Sequence, residues 1–295
     1  MRQHNWLFLG SYHQYLIILN FKIMKKIKYL FIFCLLSLVS CEDVIDVNLN
    51  NAEPRLVIDA SLNWVKGTDG RTQSIQLSLT APFFDKVIPP ATGASVTVTD
   101  SNNNTFSFNE IENSGLYINN NFLPVLNTDY DLTILYNNET YTATETLTPV
   151  VPIEFVEQKN DGGFTGDETE LKAYYNDPSN IKNFYLFEFL IVKKNSINLE
   201  VYDDEFTDGN QIFAFFSDED LEAGDELIII NSGVSERNFE FLNILLQQTD
   251  DESGDPFETQ PATIRGNCIN QTNPNNYPLG YFRVSETSIF TYIIE

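Results

Sequence analysis

Leu132-Thr133-Ile134-Leu135-Tyr136-Asn137-Asn138-Glu139-Thr140-Tyr141-Thr142-Ala143-Thr144 reads as two strand-like runs joined at a pair of asparagines. Leu132, Ile134 and Tyr136 recur with period two, the spacing that puts alternate side chains on one face of an extended chain. Two asparagines between such runs predict a tight hairpin, because asparagine tolerates the positive φ that a two-residue turn demands. Upstream the same signature repeats. Leu56-Val57-Ile58-Asp59-Ala60 is apolar and β-branched, and Ile75, Leu77 and Leu79 alternate with Gln76 and Ser78. Val96-Thr97-Val98-Thr99 and Thr105-Phe106-Ser107-Phe108 flank the turn-forming Asp100-Ser101-Asn102-Asn103-Asn104. Short strands punctuated by turns predict a β-sandwich of immunoglobulin or transthyretin-like type over residues 53–148.

Thr148-Pro149-Val150-Val151-Pro152 is the expected boundary, since two prolines in five residues cannot continue a central strand. Beyond it, residues 149–295 read as a second β-rich domain. Ile153-Phe155, Ile212-Phe213-Ala214-Phe215-Phe216 and Leu227-Ile228-Ile229-Ile230 are strand candidates, and the run from Phe184 to Val192, apolar on both faces, suits a central strand. Leu279 to Val284 and Ile289 to Ile294 read as separate terminal strands. One helix is expected near 235–248. Ser235 suits its N-cap, Val234 and Phe239 its hydrophobic staple, and Phe239, Leu242, Leu245 and Leu246 its buried face.

The first forty residues belong to a different class. Met24-Lys25-Lys26-Ile27-Lys28 is a basic flank, followed by the apolar run Tyr29 to Val39, which is too short to span a bilayer of ~30 Å as a helix. It ends in Leu38-Val39-Ser40-Cys41, which resembles a bacterial lipobox, so cleavage after Ser40 and a covalent lipid on Cys41 are expected. Residues 1–23 precede this complete signal peptide and read as a misassigned start. Residues 41–52 form an acidic tether.

Residues 1–40 carry five of the 17 basic residues and none of the 42 acidic ones, which leaves the chain from Cys41 with a formal charge of −30. Such acidity excludes a nucleic-acid partner, whose phosphates demand a basic footprint, and leaves membrane attachment to the lipid anchor. Both histidines, His4 and His13, also lie upstream. Histidine-based nucleophilic systems and histidine-ligated metal sites are therefore excluded from the mature chain. Cys268 remains as a lone thiol, read as small, buried and inert.

Carboxylates are the remaining chemistry, in three groups: Asp203-Asp204-Glu205 with Asp208, Asp218-Glu219-Asp220 with Glu222, and Asp250-Asp251-Glu252 with Asp255. Solvated loops are the leading reading of all three. Asp203, Asp204 and Asp208 are calcium candidates, although Phe206 occupies a position where an EF-hand would need an oxygen. A glycosidase-type pair ranks last.

Several segments, taken in order, resemble a domain-of-unknown-function family of Bacteroidota outer-membrane lipoproteins encoded beside TonB-dependent receptors. They are Gly115-Leu116-Tyr117, the run from Tyr130-Asp131-Leu132 to Pro149-Val150-Val151-Pro152, and Asp203-Asp204-Glu205-Phe206-Thr207-Asp208-Gly209. Asp255-Pro256-Phe257, Ile264-Arg265-Gly266-Asn267 and Leu279-Gly280-Tyr281-Phe282 follow. The likeness covers nearly all of residues 41–285, and residues 288–295 depart from the usual short family ending. It implies an outer-membrane lipoprotein, accessory to a TonB-dependent nutrient receptor, with no catalytic residues to carry over. Glu42, Asp43 and Asp46 resemble the acidic surface-export signal of that phylum, which implies an outward-facing, non-enzymatic protein. A structural or adhesive lipoprotein is the alternative, and a carboxylate-dependent hydrolase the third.

Overall fold

The computed structural model describes residues 53–82, 84–162, 166, 168–249 and 264–295. Ser40, Cys41, Glu42, Asp43 and Asp46 lie outside these residues, as does the Asp250–Asp255 acid group. Fifteen strands and one helix are described. The first seven strands are β1 (Leu56–Val65), β2 (Gln73–Leu79), β3 (Ser95–Asp100), β4 (Thr105–Ile111), β5 (Leu116–Asn119), β6 (Asp129–Tyr136) and β7 (Glu139–Thr146). After the proline link come β8 (Phe155–Gly162), β9 (Glu168–Asn176), β10 (Phe184–Ile191), β11 (Ser196–Asp203), β12 (Gln211–Asp218) and β13 (Glu226–Gly233). The helix α1 (Glu236–Thr249), β14 (Ile269–Asn270) and β15 (Leu279–Ile293) complete the chain.

The asparagine hairpin forms as its sequence requires. Tyr136 of β6 pairs with Glu139 of β7, and Asn137 and Asn138 take φ values of 48° and 63°, the left-handed geometry of a two-residue turn. At the neighbouring turn the Asp100 carboxylate accepts the backbone N–H groups of Asn102 and Asn104, both at 2.8 Å. Aspartate closes turns by this route because its short side chain reaches backbone donors a few residues on.

Twelve strands join in the order β11-β10-β13-β15-β1-β2-β5-β4-β3-β6-β7-β14, and three more form a small sheet, β12-β9-β8. The first half of β4 pairs with β3 and its last residues with β5, so the large sheet turns a corner and closes over itself. Ile58, Leu62, Ile75, Leu77, Tyr117 and Tyr130 fill the resulting first core. In the second core, Phe187, Phe189 and Ile229 of the large sheet meet Leu171, Tyr175 and Phe216 of the small one. Phe189 stacks on Phe216 with ring centroids 4.9 Å apart. The chain is mostly β, with sandwich-like sheets and one packed helix among the described residues. No described helix is long and apolar enough to cross a membrane.

β15 belongs to both cores. Residues 279–287 run parallel to β1, from Val57 opposite Leu279 to Val65 opposite Thr287, and residues 287–293 pair antiparallel with β13. Phe282 and Val284 enter the first core, whereas Phe290 and Tyr292 pack on the second. Between them, Glu286 accepts Lys66 Nζ at 2.7 Å and the Val150 backbone N–H at 3.0 Å, and so pins the proline link to the strand. The two terminal strands expected here are therefore one continuous strand. The polar run Ser285-Glu286-Thr287-Ser288 between them is buried within it. Ala52–Glu295 form one compact unit, with both cores complete inside it.

Close backbone approach explains two glycines near the chain end. Gly280 has φ +90°, and a Cβ there would stand 2.0 Å from the Ile58 carbonyl oxygen; a Cβ on Gly266 would stand 1.6 Å from that of Gly280. Only glycine fits either place. Next to them the Asn267 side chain donates to the Phe282 carbonyl at 2.7 Å and accepts its N–H at 2.9 Å.

α1 begins where its signals lie. Ser235 Oγ accepts the Asn238 backbone N–H at 3.2 Å, and Val234 and Phe239 share a cluster with Phe184, Leu186 and Leu242. The sheet face beneath the helix is polar along its middle strands. Among the described residues, seven buried side-chain atoms have no protein hydrogen-bond partner, three of them on β15 (Arg283 Nη1, Ser285 Oγ and Thr287 Oγ1) and one on α1 (Asn238 Oδ1).

A buried carboxyl lies at the same junction. Glu145 Oε2 accepts the Tyr281 hydroxyl at 2.9 Å and the Asn267 amide at 3.4 Å. Burial, the largest influence, holds its pKa above the ordinary glutamate value. A carboxyl raised in the folded state contributes stability below its unfolded pKa and loses that contribution as pH rises through the folded value. Glu145→Gln keeps an acceptor for both donors and cannot ionise. Urea unfolding between about pH 4 and 8 should show the variant gaining on the wild type as pH rises; a difference independent of pH would contradict this.

Candidate functional site

Three carboxylates converge at the head of α1. Asp204 and Asp208 come from the turn after β11, and Asp177 from the turn after β9; one oxygen of each lies within 4.8 Å of the other two. Asp177 and Asp204 are buried and Asp208 is exposed. The local chain folds around them. Thr207 and Asp208 donate their backbone N–H groups to the Asp204 carbonyl at 2.9 and 3.0 Å, a single helical turn that ends at Gly209 with φ +72°.

Like charges this close repel unless donors face them. Asp177 accepts the Tyr185 hydroxyl at 2.6 Å and the Gly209 N–H at 3.0 Å. Asp204 accepts the Asn183 N–H at 2.8 Å, and Asp208 that of Asn180 at 2.7 Å. Burial, aided by the Asp177 carboxylate, pushes the Tyr185 phenol far above the ordinary tyrosine range, so it stays protonated and donates. Beside the cluster is a crevice of about 580 Å3, lined by Asp203, Glu205, Glu236, Glu240, Phe184 and Phe239 among others. Lys182 stands at its edge, paired with Glu236 at 2.5 Å.

Of the calcium candidates, Asp204 and Asp208 meet. Asp203 instead accepts the Glu205 N–H at 3.1 Å and lines the crevice. Asp177 takes its place in the trio. The sequence analysis did not single out Asp177, and nothing in one sequence joins it to residues some thirty positions later. The donor set is oxygen alone, which suits a hard cation; three carboxylates fall short of the roughly six to eight oxygens calcium takes.

Of the other acid groups, the one described, Asp218-Glu219-Asp220 with Glu222, lies at the surface with lysines beside it. Lys194 pairs with Asp218 at 2.9 Å and Asp220 at 3.0 Å, and Lys193 with Asp225 at 2.5 Å. Cys268 is buried, and its thiol is pushed up to about 12, chiefly by desolvation. That suits an inert side chain at the first core's edge.

Together these features define a class: a mostly β protein with sandwich-like sheets and an acid-lined crevice where its helix begins. The chain belongs to the domain-of-unknown-function family DUF4249, whose profile matches residues 42–289. Residues singled out for the family resemblance have structural roles here: Gly280 and Gly266 in the close crossing, Asp204 to Gly209 in the carboxylate turn. No curated protein matches the chain. Among solved structures, the two-fibronectin-type-III-domain segment of chicken tenascin is similar over 62% of this chain and 91% of that one, at 13% identity and a TM-score of 0.20. At that TM-score neither fold informs the other.

Removing Asp177 should release the turn. Asp177→Ala leaves the buried Tyr185 hydroxyl and the Gly209 N–H without their acceptor, and should lower stability by about 2–4 kcal/mol in urea unfolding. Asp203→Ala should change it by less than about 1 kcal/mol. Equal effects would mean the trio does not organise the turn.

Proposed function

We propose that this chain is a non-enzymatic outer-membrane lipoprotein, anchored by lipid on Cys41 and facing outward, that acts as an accessory or ligand-binding partner of a TonB-dependent nutrient receptor. The lipobox-like Leu38-Val39-Ser40-Cys41 supports the anchor, and Phe206 is the structural observation that supports a contact surface. Phe206 is 89% exposed in the carboxylate turn, and Ile181, which lines the crevice, is also exposed. Burying a phenylalanine is worth about 1.5–3 kcal/mol, which this fold leaves unused and a partner surface would supply. Aromatic residues are enriched where proteins meet.

The acidic crevice beside it favours a partner that presents basic or hydrogen-bond-donating groups. Millimolar calcium is a ligand that the Asp177, Asp204 and Asp208 oxygens would take at low affinity, with water completing the shell. The family membership fits this reading and supplies no activity of its own.

Affinity purification of the lipidated chain from outer membranes, solubilised in a gentle detergent, should recover a receptor β-barrel. Phe206→Ser should cut that recovery by about tenfold while changing stability by less than about 0.5 kcal/mol. Undiminished recovery would remove this docking face. Failure of the wild type to bring down any barrel would sink the receptor claim; loss of cell attachment with normal nutrient uptake in a deletion strain would favour the adhesive alternative.

A further inference from the structure

The chain enters the large sheet beside its most exposed apolar loop. Thr80 donates its backbone N–H to the Arg55 carbonyl at 2.9 Å, and Arg55 donates its own to Thr80 Oγ1 at 2.9 Å, so the start of β1 and the end of β2 lie together. The loop that leaves this end returns to it where Leu79 donates to the Pro89 carbonyl at 2.9 Å. Within it Phe84, Val87 and Ile88 are 73%, 74% and 68% exposed, more than any other large apolar side chain described except Phe206. Exposed apolar residues scattered singly are ordinary, but three within five positions mark a contact surface. Pro82, Pro89 and Pro90 stiffen the segment, so covering it costs little chain freedom.

The charge at this end departs from the acidity of the chain. Arg55 and Arg265 each stand over the Tyr277 ring at 3.9 Å, and Lys86 is exposed beside Val87. Segments 53–55, 80–90 and 265–277 together hold those three basic residues against two acids, Glu53 and Asp85. An apolar loop with cations beside it matches the headgroup layer of a bilayer, where apolar side chains reach the acyl boundary and cations meet phosphate. The reach fits as well. Glu53 follows Cys41 by twelve residues, which span no more than about 45 Å fully extended. A lipid on Cys41 therefore keeps this end of the sheet close to the membrane, at high effective concentration.

We propose that the loop carrying Phe84, Val87 and Ile88 seats on the membrane that holds the Cys41 lipid, its apolar side chains entering the headgroup layer. This contact rests on the lipid anchor proposed above. The lipid attaches the chain; the loop orients it, turning the end at Arg55 and Thr80 toward the bilayer. Three side chains are too few to hold an unanchored chain, so the contact forms once the chain is tethered.

Residues 41–295, coupled through the Cys41 thiol to a maleimide lipid, test this in phosphatidylcholine vesicles brominated near the top of the acyl chains; Cys268 is buried and does not compete. Trp64, the only tryptophan after Cys41, sets the baseline of fluorescence. Val87→Trp should add emission that the bromines quench. Glu219→Trp, at an exposed position in the Asp218–Asp220 acid group, should add emission that they do not. Phe84→Ser with Ile88→Ser should remove most of the Val87→Trp quenching and, because both positions are exposed, leave the urea midpoint in place. Quenching at Val87→Trp no greater than at Glu219→Trp, or quenching that survives the two serines, would overturn the proposal. Val87→Trp emission already blue-shifted without vesicles would overturn it too, because protein would then cover the loop. Chemical coupling makes these outcomes independent of natural lipidation, which the mass of the Cys41 peptide from expressing cells tests by itself.

Discussion

The parallel pairing of β15 with β1 is the contact on which the rest of the structure depends. It joins the first described strand to the last, across more than two hundred residues, and needs an unusually close approach at Gly280. Any side chain there would meet the Ile58 carbonyl oxygen, and the register from Leu279 to Thr287 follows from that crossing. Phe282 and Val284 then fall toward the first core, while the continuing strand pairs with β13 and carries Phe290 and Tyr292 to the second. Two sandwiches that would otherwise be linked only through Thr148–Pro152 become one unit. Closing so long a loop is unfavourable in entropy, and that cost is recovered only when both cores form.

Sharing a strand between two cores has a chemical consequence. Where β15 passes from one to the other, its side chains cannot all be apolar without merging them. Glu286 sits at that passage, bonded to Lys66 and to the proline link. On the reverse face, Arg283, Ser285 and Thr287 are buried with polar atoms that find no protein partner. A strand this polar would make a poor edge and a poor isolated hairpin. It is held in place by neighbours on both sides, β1 and β13, and by a helix whose cap and staple are strong.

Much of the local structure was legible in the sequence, because local chemistry determines it. The Asn137-Asn138 turn, the Asp100 turn, the period-two strands and the Ser235 cap with its Val234–Phe239 staple rest on residues within a few positions of one another. What was not legible depends on distant partners. Ser285 to Ser288 read as a gap because alternation fails there; it fails because that stretch is buried on both faces in a polar setting. Asp177 escaped notice for a related reason, since the trio is assembled from two turns on different strands. Phe206 was visible as the residue that spoils an EF-hand spacing, but its exposure, the property that gives it a role in contact, exists only in the folded chain.

If β15 makes one cooperative unit of two cores, their stabilities cannot be separated. Native-state hydrogen exchange on the compact unit tests this most directly. Amides of Ile75 and Leu77 in the first core, of Phe187 and Ile229 in the second, and of β15 should exchange through the same global opening, with one free energy and one dependence on denaturant. Exchange of the second-core amides at a clearly lower free energy, with those of the first core and β15 still protected, would contradict it.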